Sequence, residues 1–264
     1  MYELEYSMPS SVNDAVAEIK KSSEAKYLAG GMTLIPTLKA RLSSADMLVD
    51  LKGANLSNVS VSSSEVVIGS MTRHCDVASS SEVLSSLPAL AKLAGGIGDH
   101  MVRNCGTIGG SLANNDPAAC YPSAVLALDA TIITNERAIT AEDFFVGMFE
   151  TALNENEIIT EVKFPIPEKA SYIKFPNPAS RYAMVGVFIA KKANGVAVAV
   201  TGAGENGVFR CSEIENALNS SFNVGSIDNV EISPDGLNND IHASGSYRAN
   251  LIKEMAKRAL NEMI

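Results

Sequence analysis

The 264-residue sequence has no tryptophan, three histidines and four cysteines. Cys75, Cys105, Cys120 and Cys211 are irregularly spaced and no C-x-x-C occurs, so neither a zinc nor an iron–sulfur framework is indicated. Reduced structural thiols are the expectation. His74, His100 and His242 are scattered and are expected to be surface or capping residues rather than ligands or bases. Basic charge is scarce: 21 Lys and Arg face 30 Asp and Glu, for a net charge of −9. That balance disfavours nucleic acid or an anionic membrane as a partner. No apolar stretch approaches the ~18 residues of a membrane span, and no basic segment followed by an apolar run opens the chain. A transmembrane segment and a signal peptide are therefore not expected, and the chain is read as cytoplasmic, with any membrane association made through partners. Neither G-x-G-x-x-G nor G-x-x-x-x-G-K-[ST] is found, which leaves Rossmann and P-loop sites unsupported.

What the sequence does have is glycine in two places. Leu28-Ala29-Gly30-Gly31-Met32-Thr33-Leu34 follows a short strand at 26–29 and precedes a helix at 34–41, with Pro36 in the first turn. Cys105-Gly106-Thr107-Ile108-Gly109-Gly110-Ser111-Leu112-Ala113-Asn114-Asn115-Asp116-Pro117 carries three glycines in five residues, then a Ser and two Asn. Glycine lets a backbone approach a ligand closely and lets successive N–H groups converge on one anion. Hydrogen bonds to charged groups contribute roughly 1.5–3 kcal/mol each, so four or five amides could hold a pyrophosphate without Lys or Arg. Thr33, Thr107 and Ser111 could add hydroxyl donors. Taken singly, either segment reads as an ordinary turn; strand, glycines, then helix is the arrangement that favours an anion site.

These residues carry a family resemblance. Ala29-Gly30-Gly31-Met32-Thr33-Leu34-Ile35-Pro36 with Leu38-Lys39 resembles the first flavin loop of the FAD-binding subunits of molybdenum hydroxylases, and 106–114 resembles the second. The similarity extends through Ser171-Tyr172-Ile173-Lys174, Ser180-Arg181-Tyr182-Ala183-Met184-Val185 and Thr201-Gly202-Ala203-Gly204, and is nearest to the medium subunits of aerobic carbon monoxide dehydrogenase and its xanthine dehydrogenase relatives. The resemblance implies an α+β fold: a two-part FAD-binding domain of the PCMH/vanillyl-alcohol-oxidase type, then a smaller α+β C-terminal domain with a short antiparallel sheet and helices. It implies that Ala29, Gly30, Gly31, Met32, Thr33 and Leu34 wrap the FAD diphosphate together with Thr107, Ile108, Gly109, Gly110 and Ser111. Asn114 and Asn115 would sit near the ribityl chain or flavin, Ile159 would offer backbone contacts to the adenine, Lys174 would meet the cofactor from the second domain, and Tyr182 would lie near the isoalloxazine face. Ile159 as strand core, Lys174 as a solvated charge and Tyr182 as a packed aromatic are the alternatives. Several relatives place an acidic residue near the flavin where Ala119 or Cys120 stands here; Asp116 could substitute, and a buried inert thiol is the expectation for Cys120.

The same resemblance implies partners: a molybdopterin-binding large subunit and a [2Fe-2S] small subunit, assembled as a dimer of heterotrimers, with FAD passing electrons to an external acceptor. A stand-alone FAD-dependent oxidoreductase on the same fold is the alternative. No acid–base dyad or nucleophile in the sequence carries substrate chemistry by itself.

Along the chain, 2–7 reads as an edge strand, and Ser10 or Ser11 caps a helix to about residue 21. A buried strand follows at 47–51, short strands surround residues 59–68, and 84–97 reads as one helix. An apolar helix at 117–128 is expected to kink or restart at Pro122. A hairpin at 130–140, a capping box at Thr140 and a strand at 158–164 complete the first part. Pro165, Pro167, Pro176 and Pro178 mark a connection, and Asn194-Gly195 joins strands at 184–191 and 195–201. Helices are expected at 212–218 and 246–263. The domains are drawn as 1–168, with subdomains of about 1–55 and 56–168, and 169–264.

Overall fold

The computed structural model describes residues 2–264. β1 (Glu5–Ser7), α1 (Val12–Ile19), β2 (Lys26–Leu28), α2 (Leu34–Lys39) and β3 (Met47–Asp50) build a three-stranded sheet in the order β1-β3-β2, parallel throughout. Ser11 starts α1 by accepting from the Asp14 amide at 3.1 Å. Ala15 and Ile19, four apart on one helix face, bury against Met47 and Val49.

The next part is larger. It contains β4 (Val59–Val61), β5 (Glu65–Gly69), α3 (His74–Ser79), α4 (Ser81–Ser86), α5 (Pro88–Gly95), α6 (His100–Cys105), α7 (Ile108–Asn114) and α8 (Tyr121–Ala127). It continues with β6 (Thr131–Thr134), β7 (Ala138–Thr140), α9 (Ala141–Phe144), a hairpin of β8 (Phe145–Gly147) and β9 (Glu150–Thr151), and β10 (Ile159–Pro165). Its antiparallel sheet runs β4-β5-β10-β6-β7. After the link Ile166-Pro167-Glu168 come β11 (Lys169–Pro176), β12 (Ala183–Lys192), β13 (Gly195–Gly204) and β14 (Gly207–Arg210), a four-stranded antiparallel sheet in chain order. α10 (Ser212–Ser220) and α11 (Gly245–Asn261) cover it. No helix among the described residues is long and apolar enough to cross a membrane.

The last sheet is buried on both faces, which is why β12 and β13 read as unbroken apolar runs. Phe188, Ala190, Ala197 and Ala199 point into the core that also contains Leu90, Tyr121, Val125 and Phe164. Val187, Ile189, Val198 and Val200, one residue out of phase, point the other way onto Ile214, Ile252, Met255 and Ala259. The core on either side of the 166–168 link is therefore continuous.

Four expectations about local structure change. The second glycine segment is not a loop: Thr107 is the N-cap of α7 and accepts from the Gly110 amide at 3.2 Å, so Gly109 and Gly110 lie inside the helix. Glycine there costs roughly 1 kcal/mol relative to Ala, but any side chain at Gly109 would sit 2.5 Å from Ser70 Cβ, so tertiary packing overrides helix propensity. Residues 84–97 form two helices, broken at Leu87, because Pro88 disfavours helical backbone in the residue before it. Pro122 occupies the first turn of α8, where no hydrogen bond is lost, and so neither kinks nor restarts it. β11 and β14 were not expected; 169–176 mixes Lys, Ser and Tyr without a clean alternation.

Phe188 is fully buried, with its ring 6.2 Å from that of Tyr172 in the shared core. Phe188→Ala is expected to lower stability by about 3–5 kcal/mol. Because the core is continuous, chemical denaturation followed by circular dichroism should show one transition moving as a whole, not the C-terminal sheet melting alone.

Candidate functional site: a cleft between two glycine segments

The two glycine segments touch. A Cβ on Gly30 would lie 2.2 Å from the Cys105 carbonyl oxygen and 2.6 Å from Gly106 Cα, so only glycine permits this backbone-on-backbone contact. Gly31 has φ +69°, a left-handed conformation that turns the chain from β2 into α2. One turn further along α7, a Cβ at Gly110 would meet Ala29 Cβ at 3.2 Å. A cavity of about 500 Å³ opens beside this junction. That size falls within the range of small-molecule clefts.

The amides of the two segments are used differently. Among the described residues, nothing accepts from the N–H groups of Gly30, Gly31, Met32 or Thr33; the first turn of α2 begins only with Ile35 donating to Gly31 O at 3.0 Å. On the other segment, the Ile108 amide donates to Thr72 O at 3.1 Å and that of Gly109 to Ser70 O at 2.8 Å, and Gly110 is bound to Thr107 Oγ1. The first segment thus supplies most of the unpaired amides, the Thr107 amide adds one from the second, and α7 supplies the opposite wall.

Ala29, Gly30, Gly31, Met32, Thr33 and Leu34 all line the cavity. So do Thr107, Gly109, Gly110, Ser111, Asn114, Ile159, Lys174 and Tyr182. Ile108 and Asn115 are not on its wall. Ile108 is fully buried in the core. Asn115 is the left-handed C-cap of α7, φ 42°, and its amide nitrogen donates to Gly147 O at 2.9 Å and Glu150 O at 2.8 Å. Its side chain is committed to the β8–β9 hairpin. Lys174 reaches the cavity, but its ammonium donates to Gly96 O at 2.6 Å and Arg181 O at 3.0 Å, and lies 3.6 Å from Cys120 Sγ.

Sequence reasoning missed several wall residues. Ser70 and Met71 come from the turn after β5, His74 from the start of α3, and Ile97 and Gly98 from the segment after α5. No local pattern marks them, because they arrive through tertiary packing. Tyr27 and Ile158 also line the cavity; each stands beside a residue already singled out, which was the available signal. His74 is buried rather than on the surface. Its amide donates to Gly106 O at 2.9 Å, its ring packs 5.4 Å from that of Tyr121, and its Nδ1 has no hydrogen-bond partner. Burial, helped by the Arg103 charge, lowers its pKa to about 4. Asp116, also on the wall, is pushed up by burial. Tyr182, exposed at the cavity rim, is raised by burial and by Asp116. Beneath the Ile158–Ile159 end, burial works to raise Glu157 but its bonds to Arg137, the Asn154 amide and Thr134 hold it below the usual carboxylate value.

Unpaired amides on a glycine turn, an enclosing helix and a long, mostly apolar trench define a protein that holds a phosphorylated, ring-bearing cofactor. Comparison with known proteins makes this specific. The family described as the FAD binding domain in molybdopterin dehydrogenase matches residues 2–167. The glyceraldehyde dehydrogenase medium chain of Sulfolobus acidocaldarius is 33% identical, over 99% of this chain and 98% of its own. The carbon monoxide dehydrogenase medium chain of Hydrogenophaga pseudoflava is 31% identical, over 97% and 96%. The fold superposes on a chain of reconstituted CO dehydrogenase from Oligotropha carboxidovorans with a TM-score of 0.90 at 26% identity, covering 100% of this chain and 99% of that one. The chain belongs to the FAD-binding medium subunits of the molybdopterin dehydrogenases.

His74 generates a pH prediction. The folded chain keeps it neutral down to about pH 4, whereas the unfolded chain protonates it near 6.5. Its contribution is therefore complete above pH 6.5 and is lost as pH falls from 6.5 to about 4, by about 3 kcal/mol in all. Urea denaturation at about pH 7 and about pH 4.5 should show that His74→Phe flattens this loss; an unchanged slope would assign the loss to other groups.

Proposed function

We propose that this chain is the FAD-carrying electron-transfer subunit of a molybdenum hydroxylase of the carbon monoxide dehydrogenase type. The observation that carries the reading is the set of unpartnered amides on Gly30–Thr33 facing α7 across the cleft. These residues fit FAD. The four N–H groups would take the diphosphate, the trench toward Tyr27, Ile158 and Ile159 would take the adenosine, and Tyr182 would cover the ring system at the other end. When bound, FAD accepts electrons singly or in pairs and so links one-electron donors to a two-electron acceptor.

The chain's own work is to bind, orient and shield. Gly30 and Gly31 bring the backbone close, and Thr107 and Ser111 place hydroxyls on the facing wall. The Lys174 ammonium ties Gly96 to Arg181 and so closes the cleft between α5 and the segment after β11. Asp116 would supply the acidic group near the ring end, in place of the one that relatives carry where Ala119 or Cys120 stands here. Near-full-length similarity to medium chains whose complexes are named for glyceraldehyde and carbon monoxide supports a subunit role. We assign the choice of substrate to a molybdopterin-binding large subunit, and the electron supply to a small subunit with [2Fe-2S] clusters. Three such subunits, doubled, would form the assembly, in the cytoplasm, with an external acceptor for the electrons.

The purified chain should be yellow and carry one FAD, read from its flavin spectrum. Gly30→Ala should abolish retention by forcing apart the backbone contact. Tyr182→Ala, at an exposed site, should weaken retention roughly tenfold or more, the loss of one stacked aromatic contact. Gly95→Ala, whose added methyl meets only an ordinary contact at 3.7 Å, should keep FAD. Full FAD content in both cleft variants would end the assignment. Co-expression with the neighbouring subunit genes and size-exclusion chromatography tests the assembly; a chain that turns over substrate alone would favour the stand-alone oxidoreductase.

A further inference from the structure

Cys120 forms part of the cleft wall at the start of α8. Its sulfur lies 3.6 Å from Lys174 Nζ, the third acceptor around that ammonium after the carbonyls of Gly96 and Arg181. Tyr172 also approaches it. That hydroxyl is buried and has no hydrogen-bond partner; burial pushes it upward, and the nearby Cys120 adds to the shift. The structure therefore sets one thiol beside a cation and an idle O–H donor, with open space on the cleft side.

We propose that Cys120 is a peroxide-reactive thiol whose sulfenate is held by the Lys174 ammonium and the Tyr172 hydroxyl. The sulfur attacks one oxygen of hydrogen peroxide arriving through the cleft. An S–O bond forms as the O–O bond breaks, and the departing hydroxide leaves as water with the thiol proton. Cys120 is oxidised to the sulfenic acid, and peroxide is reduced to water. Lys174 holds the sulfenate by a charge-assisted hydrogen bond. The new oxygen gives Tyr172 the acceptor it lacks. A small thiol entering the cleft displaces the sulfenic oxygen as water and forms a mixed disulfide, and a second equivalent releases the cysteine and the small disulfide, so the change is reversible. Because Lys174 bridges Gly96 and Arg181, oxidation at Cys120 bears directly on the closure of the cleft.

The other thiols provide internal references. Cys211 is equally buried, lies off the cavity wall beside Glu213, and has its thiol pushed up to about 12 by burial. Cys105 is exposed, and Cys75 is half-buried and raised by burial and by Asp76.

The test is site-resolved and has no flavin readout, so its failure leaves the assignment of the cleft untouched. The full-length chain is treated with equimolar hydrogen peroxide and dimedone, digested, and followed at each cysteine by mass spectrometry. Cys120 should be labelled about tenfold or more faster than Cys211. Capture of the sulfenic acid by Lys174 as a sulfenamide, with loss of water and a net loss of two hydrogens, would support the proposal equally. Lys174→Met should slow labelling of Cys120 about tenfold while leaving Cys105 unchanged. Labelling of Cys120 no faster than Cys211, or a Cys120 rate indifferent to Lys174→Met, would overturn it. Should the variant fail to fold, the comparison of Cys120 with Cys211 in the unaltered chain decides.

Discussion

The structure depends on one backbone pressed against another: Gly30 against the carbonyl of Cys105 and the Cα of Gly106. No side chain fits between them. The contact joins a turn in the small parallel sheet to the end of α6 in the larger sheet's helical layer. It also fixes the direction of the first turn, whose amides are left without partners inside the protein. These half-buried to exposed amides are left free to donate to a ligand in the cleft. The positive φ that glycine adopts freely at Gly31 falls at the same spot.

The two segments are alike in composition and unlike in role. Gly30 and Gly31 free the backbone to donate. Gly109 instead lets α7 pack on Ser70, and Gly106 leaves room for the His74 ring. The charge near the cleft is arranged by the same economy. Lys174 spends its ammonium on two carbonyls and a sulfur, and His74 is held neutral by burial, so what the first glycine segment offers the cleft is amides rather than cations. A donor set of backbone amides cannot be lost by a surface charge change and does not titrate.

Much of this was legible in the sequence where composition and period were strong. β12 and β13 stood out because both faces are buried and Asn194-Gly195 closes the turn. The glycine turn after β2 was legible because strand, glycines and helix follow in order. α7 was read as a loop because paired glycines signal a turn, and only the packing of Gly109 on Ser70 overrides that signal. Asn114 and Asn115 could not be told apart by sequence; a left-handed residue at the helix end sends the second away from the cleft. β11 was hidden because its pattern mixes polar and apolar positions. His74 and Cys120 were expected as bland residues, and their settings come from groups brought in from α6, β11 and α8 that no local window contains.

Asn115 has a mechanical consequence. Its side chain grips both strands of the β8–β9 hairpin, and its carbonyl accepts from the Phe149 amide at 3.1 Å. The tip of that hairpin carries Val146, Met148 and Phe149, all exposed. Three hydrogen bonds thus pin an exposed apolar tip to the C-terminal end of the helix that walls the cavity.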